Sequence, residues 1–219
     1  MDFAVEVLDI FPVTHNVRCI RFQKPEGYHF VPGQATDVSV NKPGWENEKR
    51  PFTFTCLAEK PYLEFTIKIY PDHNGVTNEI GQLKKGDSIF ISDAWGAIEY
   101  KGPGYFIAGG AGITPFISIL RWLQKENKVE GNKLFFSNKT SADIIYKDEL
   151  TEILGKENAV FVVTEGGTTK NYINETFLVK NVDDFRKHFY VCGPDAMVHQ
   201  LTDTLVKKGA SPDLVVFEK

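Results

Sequence analysis

The chain has 219 residues, 42% of them hydrophobic and 25% charged, with a formal net charge of −4. That is enough apolar chain to bury one large core or two smaller ones, and the acidic balance argues against nucleic acid, whose phosphates select a basic face. No run approaches the ~20 apolar residues of a membrane-spanning helix, and the first residues alternate in polarity, so the expectation is a cytoplasmic chain with no leader and no membrane insertion.

Six short strands are predicted in the first half, each bounded by turn residues. They are Phe3–Ile10, Val17–Phe22, Thr36–Val40, Arg50–Cys56, Leu63–Tyr70 and Ser88–Ser92. One brief helix is expected around Thr77–Leu83. Alternating strands with Gly and Pro between them suggest a small antiparallel barrel. Its aromatic richness, 17 Phe and 8 Tyr, suits packing on a pleated surface and also suits stacking on a planar ligand.

The pattern changes after Lys101-Gly102-Pro103-Gly104. A buried strand Tyr105–Ala108 enters a glycine turn, and Ile113, Phe116, Ile117, Leu120 and Leu123 then recur at helical spacing. Thr114 is expected to cap that helix and Pro115 to sit in its first turn. Strand Lys133–Ser137, helix Asp143–Leu154, strand Val160–Thr164, strand Phe189–Cys192, helix Asp195–Lys208 and strand Leu214–Phe217 complete the series. Strands alternating with helices specify a parallel sheet covered on both faces. The fold class is therefore two domains: an antiparallel β-barrel over residues 1–100, then an α/β domain with a parallel sheet over 101–219.

Cys19, Cys56 and Cys192 are scattered and odd in number, too few for an all-cysteine iron–sulfur cluster. The histidines lack paired ligand spacing, so no metal site is expected. The Asn-x-Thr triplets at Asn138 and Asn174 carry no glycosylation meaning without a secretory signal.

Chemistry enters with two turns. Gly109-Gly110-Ala111-Gly112-Ile113-Thr114-Pro115 joins a strand to a helix N-terminus, where free N–H groups and the helix dipole suit an anion. Pro115 stands where a dinucleotide fingerprint would have its third glycine, and glycines there also serve a plain tight turn. Cys192-Gly193-Pro194-Asp195-Ala196-Met197 forms a second such turn, although Cys192 alone reads as a small buried hydrophobe. Ligands of open α/β sheets lie beyond the carboxyl ends of the strands, so two such turns point to one cleft. After the domain's second strand come Ser137, Asn138 and Lys139. A hydroxyl, an amide and a cation there favour the extra phosphate of NADPH over the diol of NADH.

Arg50-Pro51-Phe52-Thr53, Gly110-Ala111-Gly112-Ile113-Thr114-Pro115 and Cys192-Gly193-Pro194-Asp195-Ala196-Met197 together resemble the ferredoxin–NADP reductase family, also called the flavodoxin reductase or oxidoreductase FAD/NAD-binding family. The resemblance spans the chain. It implies a flavin on the barrel, FAD in preference to FMN, a nicotinamide nucleotide on the second domain, and hydride passing between the two cofactors. Arg50 then pairs with a flavin phosphate, Phe52 lies against the isoalloxazine and Thr53 offers its hydroxyl near N5. Ile67, Lys68 and Ile69 run beside the ribityl and adenylate portion, and Gly75-Val76-Thr77 is the phosphate turn. Gly110, Gly112, Ile113, Thr114, Pro115, Ser137, Asn138, Lys139, Cys192, Gly193, Pro194, Asp195 and Met197 line the nucleotide site. Thr53, Cys192 and Glu218 are the catalytic candidates, Cys192 near the nicotinamide C4 and Glu218 as the acidic residue close to the C-terminus. Phe52 replaces the family's commoner Tyr, and Phe217 is the remaining aromatic near the end. The implied activity is reduction of a separate one-electron carrier, flavodoxin or ferredoxin. Alternatives are an NAD(P)H:flavin reductase using free flavin as substrate, and an electron-transfer subunit of a larger enzyme.

Overall fold

A computed structural model describes residues 2–96, 98–165 and 171–217. The chain divides into two compact units, residues 1–96 and 97–219.

The first unit contains β1 (Phe3–Thr14), β2 (Val17–Gln23), β3 (Ala35–Val40), β4 (Arg50–Thr53), β5 (Tyr62–Lys68) and β6 (Ser88–Ile91), with the short helix α1 (Val76–Gly81) before β6. All the pairs are antiparallel, in the order β4-β3-β6-β1-β2-β5. The predicted strand over 50–56 is shorter than expected, for a reason of topology. Through Thr53 it pairs with β3; Phe54 then bridges Phe65 of β5, and the Thr55 N–H donates to the Glu64 carbonyl at 2.8 Å. The strand thus changes partner and links the two ends of the strand order, closing the sheet into a barrel. Alternation sends Ile20 and Phe22 of β2 and Leu63, Phe65 and Ile67 of β5 inward. Phe54 stacks on Phe30 with 4.2 Å between ring centroids and lies 5.0 Å from Phe65, so the residue that closes the barrel also fills it.

The second unit contains β7 (Gly104–Gly109), α2 (Thr114–Lys125), β8 (Lys133–Asn138), α3 (Lys147–Leu154), β9 (Ala159–Val163), α4 (Glu175–Asn181), β10 (His188–Cys192), α5 (Asp195–Lys207) and β11 (Val215–Phe217). The sheet is parallel, in the order β11-β10-β7-β8-β9. From β7 the chain moves outward through β8 and β9, then returns to β10 on the other side. The reversal falls between β7 and β10, and ligand crevices of such sheets open at that point. Tyr105, Ile107, Phe135 and Val191 share a core with Leu178 of α4 and Leu201 and Leu205 of α5. Phe106 points the other way, edge-on to Phe116 of α2 at 5.1 Å.

Two local expectations are corrected, and one helix is added. Thr114 is not a cap: the single 3₁₀ turn Gly110–Ile113 runs directly into α2, Ile113 is already helical, and the Thr114 hydroxyl donates to the Ala111 carbonyl at 3.0 Å. The helix expected over 143–154 is broken. A 3₁₀ turn over Ser141–Asp143, closed by a reciprocal Thr140–Asp143 capping box, precedes Tyr146 at φ 51°, and α3 starts only at Lys147. Helix α4 was not anticipated; Asn174 caps it, its Oδ1 accepting from the Phe177 N–H at 3.0 Å.

Two buried phenols tie loops to this sheet. Tyr105 donates to the Asp183 carboxylate, and the Asp183 N–H returns a bond to the phenol oxygen at 3.0 Å. The Tyr190 oxygen accepts from the Lys101 and Gly102 N–H groups and donates to the Gly102 carbonyl at 2.8 Å. Burial, foremost in each case, pushes both phenols up to about 12. The folded chain therefore holds these protons more tightly than the unfolded chain, where Tyr titrates near ~10. Their stabilisation is complete below that pH and is lost as pH rises toward 12. Urea unfolding across this window should show stability falling steeply, and Tyr190→Phe should flatten the fall while costing about 1 kcal/mol at neutral pH.

Candidate cofactor sites

On the barrel, β4 is an edge of the strand order, and this suits Pro51, which has no N–H to give a ladder. Arg50 is exposed; its guanidinium donates to its neighbour's carbonyl, that of Lys49, at 2.7 Å, leaving further donors of the fork directed outward. Phe52 is half-buried, packed on the core with its ring 6.4 Å from that of Phe65, so part of the ring faces outward. Thr53 stands opposite Ala35 and is largely buried. Ile67 points into the core and can offer a ligand only backbone, whereas Lys68 and Ile69 are half-buried, the Lys68 ammonium 5.8 Å over the Tyr70 ring. Gly75 is extended and precedes α1, whose first N–H groups, on Val76 and Thr77, have no intrahelical acceptor. Glu79 of this helix is buried and accepts from Lys42 at 2.6 Å, fixing α1 to the exit of β3.

In the second unit, the turns after β7 and β10 meet backbone to backbone. A Cβ on Gly112 would stand 2.4 Å from the Cys192 carbonyl oxygen and 2.6 Å from the Gly193 nitrogen. On Gly193 it would stand 3.1 Å from the Gly109 nitrogen, and on Gly109 2.6 Å from the Met197 sulfur. Gly112 is required by close approach to backbone, whereas Gly193 is only tightly packed and the Met197 side chain that crowds Gly109 can move. Gly110 is different: its φ is +53° and nothing lies within 4 Å of its would-be Cβ, so it opens onto free space. The two turns also differ in charge. The first turn of α2 carries no acid, whereas Asp195 occupies the first turn of α5. An anion is therefore favoured on the α2 side and an uncharged group beside Cys192. Ile113 and Pro115 are buried beneath the first turn, Thr114 is half-buried, Pro194 and Asp195 are exposed, and Met197 is half-buried against Gly109.

At the end of β8, Ser137 is half-buried and Lys139 exposed. Asn138 is 5% exposed, and neither atom of its amide has a hydrogen-bond partner among the described residues. The sequence reading missed Glu165. Sheet pairing brings the end of the third strand alongside the end of the second: the Glu165 N–H donates to the Lys139 carbonyl at 2.7 Å. The barrel's Glu64, buried and paired with Arg21 at 3.0 Å, was also missed. Glu218 and the Phe217 side chain lie outside the described residues. Among the described residues, no cluster of His, Cys, Asp and Glu could hold a metal, and no helix is long and apolar enough to cross a membrane.

A closed antiparallel barrel with an outward aromatic and guanidinium, followed by a parallel α/β unit with a glycine cradle at its switch point, is the build of a nicotinamide-nucleotide-dependent flavoprotein oxidoreductase. Residues 4–100 match the oxidoreductase FAD-binding domain and residues 106–203 the oxidoreductase NAD-binding domain. The chain belongs to the FAD/NAD-binding oxidoreductase family, the ferredoxin–NADP reductase-like flavoproteins. It is 27% identical over 241 residues to the reductase component of propane 2-monooxygenase from Rhodococcus jostii, covering all of this chain and 63% of that protein. It is 32% identical over 202 residues to NADH-cytochrome b5 reductase 2-A of Vanderwaltozyma polyspora, covering 83% of this chain and 68% of the relative. Among solved structures, a ferredoxin NADP+ reductase from Neisseria gonorrhoeae with bound FAD and NADP superposes with a TM-score of 0.83, at 20% identity, over 99% of this chain and 98% of that one.

Proposed function

We propose that the protein oxidises a nicotinamide dinucleotide, holds FAD in preference to FMN, and delivers electrons to a separate one-electron carrier protein such as a ferredoxin or flavodoxin. The observation that carries the nucleotide half is the approach of Gly112 to the Cys192–Gly193 backbone, at distances that no other residue could allow. The names of the relatives, a monooxygenase reductase component and a cytochrome b5 reductase, support a protein acceptor.

In this reading Gly110 and the α2 N-terminus would hold the pyrophosphate of the nucleotide, and the turn at Cys192 would hold the uncharged nicotinamide. The Arg50 fork and the Val76 and Thr77 N–H groups hold the flavin phosphates. Phe52 covers the ring system, and Thr53 addresses N5. A bound flavin would supply the chemistry of hydride acceptance and single-electron release. The chain's part is to hold each group in place.

For coenzyme choice, Ser137 and Lys139 on their own favour NADPH. The fold adds two facts: the Asn138 amide is buried, and Glu165 sits beside Lys139 across the β8–β9 ladder. A carboxylate there offsets the cation, accepts from a ribose diol and repels a 2′-phosphate. We therefore read the coenzyme as NADH.

Mass spectrometry of the released flavin, followed by anaerobic reduction with NADH and NADPH, tests the whole reading. Yellow protein reduced by NADH supports it; colourless protein that turns over added flavin transfers the assignment to a flavin reductase. Glu165→Gln should lower the NADH-to-NADPH preference in kcat/KM by about tenfold, roughly one charge-assisted hydrogen bond. An unchanged ratio removes Glu165 from coenzyme selection.

A further inference from the structure

Met197 is the chain's only methionine besides Met1, and its thioether sits between the two glycine turns of the second unit. It is the third residue of α5. Its sulfur stands 2.6 Å from the position a Cβ on Gly109 would take and 3.3 Å from that of one on Gly193. The Pro194 Cδ lies 3.0 Å from the same Gly109 position. The sulfur therefore fills the notch where the end of β7 meets the turn after β10. The rest of the side chain packs on the core that Tyr105, Val191 and Leu201 share.

An unbranched, polarizable thioether suits an irregular gap of this kind. It is also a filler that an oxidant can change. Met197 is half-buried, whereas Cys19, Cys56 and Cys192 are buried. Among the sulfur-bearing side chains of the described residues, it is the most open to solvent.

We infer that Met197 is a site of reversible oxidation by hydrogen peroxide, and that its sulfoxide loosens the nucleotide cradle. In this step the sulfur attacks one peroxide oxygen, and the O–O bond breaks as the S–O bond forms. The sulfur is oxidised by two electrons and the peroxide reduced by two. The proton on the transferred oxygen passes to the departing hydroxide, which leaves as water. A polar, chiral group then stands where an apolar one stood. Kept in the notch, the new oxygen sets its dipole against Pro194 and the glycine methylenes. Swung out to solvent, the side chain leaves the notch unfilled, and the groups lining it lose their contacts. Either way the turns lose the filler that touches both. The approach of Gly112 to Cys192 remains, so the cradle is weakened and not abolished. This inference rests on the reading of these turns as the nucleotide cradle. In that reading peroxide slows the entry of electrons, and reduction of the sulfoxide restores it.

The test treats the flavin-loaded protein with hydrogen peroxide, then maps peptides by mass spectrometry and titrates NADH by calorimetry. Met197 should gain one oxygen and flavin per chain should stay constant. NADH affinity should fall by about tenfold, the scale set by one poorly paired polar group. Methionine sulfoxide reductase with dithiothreitol should restore the affinity. Dithiothreitol alone, which reverses thiol oxidation, should not. Met197→Leu keeps the volume without the sulfur, so peroxide should leave its affinity, whatever the starting value, unchanged. Met197→Gln places a polar group in the notch without any oxidant and should bind NADH more weakly than Met197→Leu. Should Met197→Leu fail to fold, the reductase rescue decides alone. Three results overturn the inference: Met197 left intact at doses that convert free methionine, oxidation with unchanged affinity, or an equal loss in Met197→Leu. Untreated protein that binds neither NADH nor NADPH overturns the functional reading and this inference with it.

Discussion

Gly112→Ala is expected to abolish nicotinamide nucleotide binding while flavin content stays at the wild-type level. The new methyl would lie 2.4 Å from the Cys192 carbonyl oxygen, 2.5 Å from its carbon and 2.6 Å from the Gly193 nitrogen. Comfortable contacts lie at ~3.5–4.0 Å. All three obstructing atoms are backbone, so no rotamer change can relieve the clash. The turns after β7 and β10 must separate, at a cost of about 3 kcal/mol or more. Gly110→Ala is the control. Its methyl meets open space, and its penalty is the left-handed conformation at φ +53°, about 1–2 kcal/mol. Calorimetric titration with NADH should find no binding to Gly112→Ala and weakened binding to Gly110→Ala. Because the residues proposed to hold the flavin lie in the other unit, released flavin per chain should match wild type in both. Wild-type NADH affinity in Gly112→Ala would mean that the two turns do not form the nucleotide cradle.

Much of this arrangement was legible in the sequence because it depends on local grammar. Alternation marked the barrel strands, Gly and Pro marked their ends, and the two glycine turns fall at the carboxyl ends of the adjacent strands β7 and β10. What escaped depends on pairing between distant segments. The strand at 50–56 reads as continuous, yet only the closed sheet shows that it changes partner after Thr53. Glu165 follows an ordinary strand, and its place beside Lys139 exists only in the ladder between β8 and β9. The break before α3 comes from Tyr146 adopting a left-handed backbone. The Arg121 guanidinium lies 5.1 Å from the Tyr146 ring while also binding Glu149, an arrangement no propensity encodes. Helix α4 does have a local signal: the Asn174-x-Thr triplet matches a glycosylation pattern, but its Asn is the cap.

Arg50→Ala should strip the barrel of flavin with little effect on its fold. Arg50 is exposed, and the bond it donates to the Lys49 carbonyl holds no buried group in place, so the stability change should stay within about 0.5 kcal/mol. Its expected partner is a phosphate. A charge-assisted contact of this kind contributes about 1.5–3 kcal/mol, or roughly 10- to 150-fold in affinity. Overnight dialysis should therefore leave the variant largely colourless while wild type keeps its flavin. Arg50→Lys retains the charge but loses the two-pronged geometry, and it should fall between them. Added salt should weaken wild-type flavin binding and leave the alanine variant much less affected, because only the former carries the ionic contact. Retention of full flavin by Arg50→Ala would separate β4 from the phosphates. The Val76 and Thr77 N–H groups would then remain as the barrel's phosphate donors, uncharged and insensitive to salt, so the salt titration also tells which of the two elements holds the cofactor.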